Sequence, residues 1–147
     1  MTRRALLLAS LAQSLRADSA DDAWELIASA ARALGEATAL PPPNRGSAIP
    51  FLSYFDRKMP GYETLRNNVT ALINQADVQT TIDPVTNEGD DRARNVTVDW
   101  ELRMTDLASG VNSTRRQELV KCRVEKQGRK WRIVSLEPVS FFAPPRA

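Results

Sequence analysis

The spacing of apolar residues changes period part-way along the chain. Between Ser19 and Leu34, Trp24, Ile27, Ala28, Ala31 and Leu34 recur at helical spacing on one face. Ser19 can cap this segment, Asp21 and Asp22 suit the positive end of its dipole, and Gly35 is placed to end it. Residues 38–50, TALPPPNRGSAIP, cannot continue the helix, because three consecutive prolines force an extended path. That segment reads either as a lid or docking loop or as a plain surface connection. Pro50 to Asp56 predicts a short second helix with proline near its first position, and Pro60-Gly61 breaks the chain. Tyr62 to Gln75 predicts a third helix, with Tyr62, Leu65, Val69, Leu72, Ile73 and Ala76 on one stripe.

From Val78 the period is two. Val78, Thr80 and Ile82 alternate with polar residues until Pro84, with Val85–Asn87 as an extension and Glu88–Asp91 as a turn. Val96, Val98, Trp100, Leu102 and Met104 then define a half-buried strand. After a polar loop over 105–113, Arg115–Lys126 is the next strand, with Val120, Cys122 and Val124 inward. A Gln127-Gly128 turn leads into Lys130–Leu136, with Trp131, Ile133 and Ser135 on one face and Arg132, Val134 and Leu136 on the other. The strand is expected to resume after Pro138 through Phe142, which would send Phe141 and Phe142 to opposite faces. Helices followed by strands predict an α+β domain with its helices against one face of an antiparallel sheet.

Composition adds a compartment and removes a partner. The 147 residues suit one domain, and 42% hydrophobic with 26% charged residues is ordinary for a soluble protein. The pI near 9.0 hints at an anionic partner, but Arg3, Arg4 and Arg16 fall in residues 1–17, which hold no acid. Without them, 17 Lys and Arg stand against 18 Asp and Glu. Such a chain has no general electrostatic reason to seek phosphate, and Trp131 alternates into an apolar row rather than along a basic groove, so no nucleic-acid partner is expected. Arg3-Arg4 followed by the apolar run Ala5–Leu15 has the form of an export signal and is too short to span a bilayer. The expectation is an exported protein, periplasmic or secreted, with residues 1–17 as signal, 18–147 as the domain and no stable membrane span. The alternative is an amphipathic N-terminal helix belonging to the domain.

The chain has one cysteine and no histidine. Cys122 has no internal disulfide partner and reads as a buried strand thiol. Lack of histidine removes imidazole bases and the usual zinc sites, so neither a metal nor a cofactor is expected.

The order of helix, short helix with FLSYFD, PGY, third helix and a meander ending GRKWRIVSLEP resembles the nuclear-transport-factor-2-like superfamily, which includes ketosteroid isomerase, scytalone dehydratase and SnoaL-like cyclases. The likeness runs from about Asp21 to Phe142, on Phe51, Phe55-Asp56, Gly61-Tyr62, the Trp100 strand and the Gly128 to Ile133 ending. It implies a cone: a strongly curved antiparallel sheet wrapped over helices as a cystatin-like α+β barrel, enclosing an apolar cavity and often paired as a dimer through the sheet. Two departures stand out. The proline-rich segment lengthens a connection usually only a few residues long, and the superfamily's acid–base sets have no match residue by residue.

Proton transfer in such a cone needs a carboxylate of raised pKa and a donor for the developing oxyanion. Asp56 is the candidate base and Tyr54 or Tyr62 the candidate donor; otherwise Asp56 is a solvent residue and the tyrosines are packing rings. Trp24, Phe51, Phe55, Trp100, Met104 and Trp131 are the candidate pocket lining. The same rings have enough bulk to fill the cavity instead. Asp99, Glu101 and Arg103, with Arg116, Glu118 or Arg123 across from them, read either as polar pocket lining or as cross-strand ion pairs on the far face. The leading expectation is therefore an exported domain that binds a small apolar ligand or serves as an interaction module without catalysis. The alternatives are a metal-free isomerase or cyclase and a dimeric scaffold with a filled cavity.

Overall fold

A computed structural model describes the backbone of residues 3–145 and the side chains of residues 18–145. Helix α3 occupies Tyr62–Gln75 and buries Leu65, Val69, Leu72 and Ile73, part of the stripe its sequence predicts. Gly61 precedes it at φ 82°, a left-handed conformation that a side chain would strain, with Val139 only 3.2 Å from where a Cβ would sit.

Helix α1 is longer than its sequence pattern suggests, running Arg3–Ala37. Ser19 lies inside it, buried, rather than capping it, and Gly35 does not end it. The end is set two residues later by tertiary bonds. The Thr38 hydroxyl lies between Gly35 and Val78, within 3.3 Å of the Gly35 carbonyl and 3.2 Å of the Val78 carbonyl, and accepts from the Val78 amide at 2.9 Å. The Gly46 amide donates to the Ala37 carbonyl at 2.9 Å. Helix α2 is Ile49–Leu52, shorter than expected, because the chain after Leu52 leaves the helix to pair with a strand.

Strands β1 (Ala76–Gly89), β2 (Ala93–Asp106), β3 (Ser113–Gln127) and β4 (Lys130–Glu137) form a curved antiparallel meander in the order β1-β2-β3-β4. Pro84 does not end β1. It sits at a register shift between Pro84 and Thr86 that leaves Val85 out of the ladder, which an edge strand tolerates because its missing N–H need not serve a neighbour. A second shift sets Arg123 opposite Ser135 but Val124 opposite Ile133, so Val134 is the extra residue. This bulge breaks the expected alternation, and Ile133 and Leu136 are both buried. Gln127 pairs with Lys130 across a two-residue turn in which Gly128, at φ 65°, takes the left-handed position.

One face of the sheet carries Val78, Val96, Val98, Trp100, Leu102, Met104, Val120, Cys122 and Val124 onto the helices, and all are buried. The other face carries Asp99, Glu101 and Arg103 to solvent, where Glu101 accepts from Arg103 at 3.0 Å and from Arg115 at 2.8 Å. Arg115 and Gln117, not Arg116 and Glu118, share this face, since Arg103 pairs with Arg115 and Glu101 with Gln117.

The expected strand through Phe142 is a 3-10 helix, Val139–Phe142. Successive side chains in such a turn diverge by about 120° rather than the 180° of a strand. Phe141 and Phe142 therefore both reach the interior, fully buried, and neither faces a second layer. Arg116 ties this turn to β3 by donating to the carbonyls of Phe141 at 2.6 Å and Ala143 at 2.8 Å.

Candidate functional site

The interior of the curved sheet is packed with rings. Trp100 meets Phe142 edge-on at 5.1 Å and Phe141 at 6.1 Å, Phe51 meets Phe142 at 5.4 Å, and Phe55 meets Phe51 at 4.9 Å. The Trp100 indole N–H donates to the Thr80 hydroxyl at 2.7 Å, so even its polar atom is satisfied internally. Of the candidate lining residues, Phe51, Trp100 and Met104 are closed inside this core, and Trp24 packs against it half-buried.

The open concavity lies outside the core, beside the edge of β4. It has a volume of about 1380 Å³, and Tyr54, Phe55, Asp56, Tyr62 and Trp131 all line it. What brings them together is a pairing between segments far apart in sequence. Phe55 forms a parallel bridge with Ile133: the Ile133 amide donates to the Tyr54 carbonyl and the Asp56 amide to the Ile133 carbonyl, each at 2.9 Å. Arg132 donates to the Ser53 carbonyl. Residues 53–56 thus strap the edge of β4, and the strap sets Arg57 and Lys58 beside the β3–β4 turn with its Arg129 and Lys130. Asp22, Glu25 and Leu26 of α1 and Ile49 and Leu52 of α2 also line it.

Asp56 is not placed as a proton acceptor in an apolar cavity. Its carboxylate accepts from the Lys58 amide at 2.8 Å and from the Gln127 side chain at 2.7 Å. Those two bonds, with the charges of Lys58 and Arg132, hold its pKa below the ordinary 3.8 against a small opposing desolvation. No hydrogen bond joins it to the hydroxyl of Tyr54 or Tyr62 among the described residues. A carboxylate so held stays ionised and is a weak base.

Sequence patterning gives no sign that Arg129, Lys130 and Arg132 meet Arg57 and Lys58. No local signal encodes a one-bridge parallel contact between residues 55 and 133. The proline-rich segment is likewise fixed to the core. Arg45 donates to the Ile73 carbonyl at 2.7 Å, to the Ala76 carbonyl at 2.6 Å and to Asp77 at 2.6 Å, tying the loop to the end of α3.

Helices packed on one face of a curved, four-stranded antiparallel sheet define a cystatin-like α+β cone. The chain has the nuclear-transport-factor-2-like fold. It is similar to a nuclear-transport-factor-2-like superfamily protein from Salmonella enterica, at TM-score 0.62 and 13% identity over 82% of this chain and 89% of that one. A conserved protein from Planctomyces limnophilus superposes at TM-score 0.65 with 7% identity, covering 78% of this chain and 90% of the other. A hexachlorocyclohexane dehydrochlorinase does so at 0.62 with 12% identity, covering 84% and 86%. No protein-family model matches the chain, and no curated protein matches it by sequence.

Proposed function

We propose that this protein is an exported, non-catalytic binding domain that works from its surface rather than from the interior of its cone. The observation that supports this reading is the ring cluster: Trp100, Phe51, Phe55, Phe141 and Phe142 are buried and packed on one another between the sheet and the helices. The isomerase alternative gains little from Asp56, which is held ionised outside that cluster. Export rests on the form of residues 1–17 and on their composition. Among the described residues no helix is long and apolar enough to cross a membrane.

Native mass spectrometry of protein purified from its source tests the reading. The expected spectrum shows a chain shortened near residue 17 and carrying a non-covalent ligand or partner. A chain that is full-length and bare, or a purified protein that turns over a substrate with loss of activity in Asp56→Asn, would sink it.

A dimer through the sheet is a second reading, favoured by Leu119, a large apolar side chain 56% exposed on the outer face of β3.

A further inference from the structure

Arg32, Arg45, Arg66, Arg103, Arg115 and Arg123 each meet a carboxylate within 3.6 Å. Beside β4, in the same hollow that Arg66 lines, other cations do not. Arg57, Lys58, Arg129 and Lys130 are exposed and form no salt bridge among the described residues, although all four line one concavity. Four carboxylates line the hollow against six cations, so they offset its positive charge only in part, Asp56 acting on Lys58 and Arg132. Glu63 is taken by Arg66 at 2.7 Å, Glu25 lies 3.6 Å from Arg32, and Asp56 is committed to the Lys58 amide and to Gln127.

The hollow also has an apolar side. Trp131 and Tyr54 are half-buried at its wall, and Ile49, 74% exposed, stands at its margin. Asp22 and Glu25 of α1 also border it.

From this we infer that the hollow binds a small amphiphile with one anionic head, a carboxylate, sulfonate or phosphate on an aromatic or apolar body. The inference rests on the reading of the chain as a surface-acting binding domain. The head sits among Arg57, Lys58, Arg129 and Lys130, where charge-assisted hydrogen bonds replace those it loses to water. The body lies on Trp131, Tyr54 and Ile49, where burial of apolar surface adds to affinity. The carboxylates that border the hollow, Asp22, Glu25, Asp56 and Glu63, oppose a second anionic group, so an extended polyanion such as a nucleic acid is disfavoured.

The test titrates the full chain with anilinonaphthalene sulfonate and with its uncharged relative phenylnaphthylamine, reading probe fluorescence. The sulfonate is expected to saturate a single site and to bind about tenfold more tightly than the neutral probe, with a preference that shrinks as salt is added. Arg57→Gln/Lys58→Gln and Arg129→Gln/Lys130→Gln should each erase most of that preference. Lys121→Gln, on the outer sheet face, should leave it unchanged, and circular dichroism confirms that each variant folds. Equal affinity for the two probes, no saturable binding, or double variants that bind like the parent would overturn the proposal. If neither probe binds while protein from its source still carries a small molecule, the anion site fails and the binding-domain reading survives.

Discussion

The guanidinium of Arg45 lies 2.6 Å from the carboxylate of Asp77 and, through its other nitrogens, collects the carbonyls of Ile73 and Ala76 where α3 gives way to β1. Helix C-termini leave carbonyls without partners, and here a loop residue supplies the donors. The side chain of Arg45 is only 9% exposed, so water cannot take over its role. Arg45→Ala is expected to lower stability by about 2–3 kcal/mol, seen as a lower urea midpoint at unchanged slope. Arg45→Lys should recover only part of this, because one ammonium cannot span the same acceptors. A midpoint unmoved by Arg45→Ala would show that the loop is not an anchor.

Trp100 and Thr80 supply a second test. Thr80→Val removes the acceptor from the indole N–H at 2.7 Å while keeping the side chain's volume, and should cost about 1–3 kcal/mol. Phe142→Ala opens the ring cluster and should cost about 3–5 kcal/mol. Loss of less than about 1 kcal/mol in the latter would mean that the interior is looser than its contacts indicate.

Asp56 makes a pH prediction. Its pKa is lowered in the folded state, so its contribution is present above the unfolded value and fades as pH falls through the folded one. Removing the charge with Asp56→Asn should therefore destabilise the protein near neutrality and matter progressively less below about pH 4. Urea denaturation across that range reads the difference, and parallel profiles for parent and variant would refute the assignment.

Burial pushes the Cys122 thiol up to about 12. A thiol in that state is scarcely ionised at mildly alkaline pH and has no access to reagent. Labelling with a thiol reagent should be negligible in the native protein and complete in denaturant. Rapid native labelling would place Cys122 at the surface or reveal frequent opening of β3.

If the sheet forms the dimer, Leu119→Glu should convert it to monomer in light scattering on a sizing column, without loss of secondary structure. A parent that is already monomeric would remove the sheet dimer from consideration.

The elements that were legible in the sequence are those whose burial follows a simple period. The stripe of α3 and the alternation around Trp100 give both position and inward face, because every second or every third-to-fourth residue meets the same neighbour. The errors fall where a tertiary contact overrides the local signal. Gly35 looks like a helix stop, but Thr38 reaching Val78 places the stop beyond it. Pro84 looks like a strand stop, but β1 is an edge and absorbs it in a bulge. Phe141 and Phe142 look like a strand, and Arg116 holds them in a turn. The hollow was the least legible feature, since its basic wall depends on the single bridge between Phe55 and Ile133. The candidate trio Tyr54, Asp56 and Tyr62 does border it, but the carboxylate is spoken for by Gln127 and Lys58.

The contact between Phe51 and Phe142 has a consequence for the order of assembly. One ring precedes the whole meander in sequence and the other follows it. The four strands can pair with their neighbours in turn and α1 can cover part of their apolar face, yet the ring cluster around Trp100 is not complete until the segment after β4 folds back. Folding should therefore be slow for a domain of this size, as expected where distant contacts must close before they are rewarded. Until that return, the indole of Trp100 lacks two of its ring partners, Phe141 and Phe142.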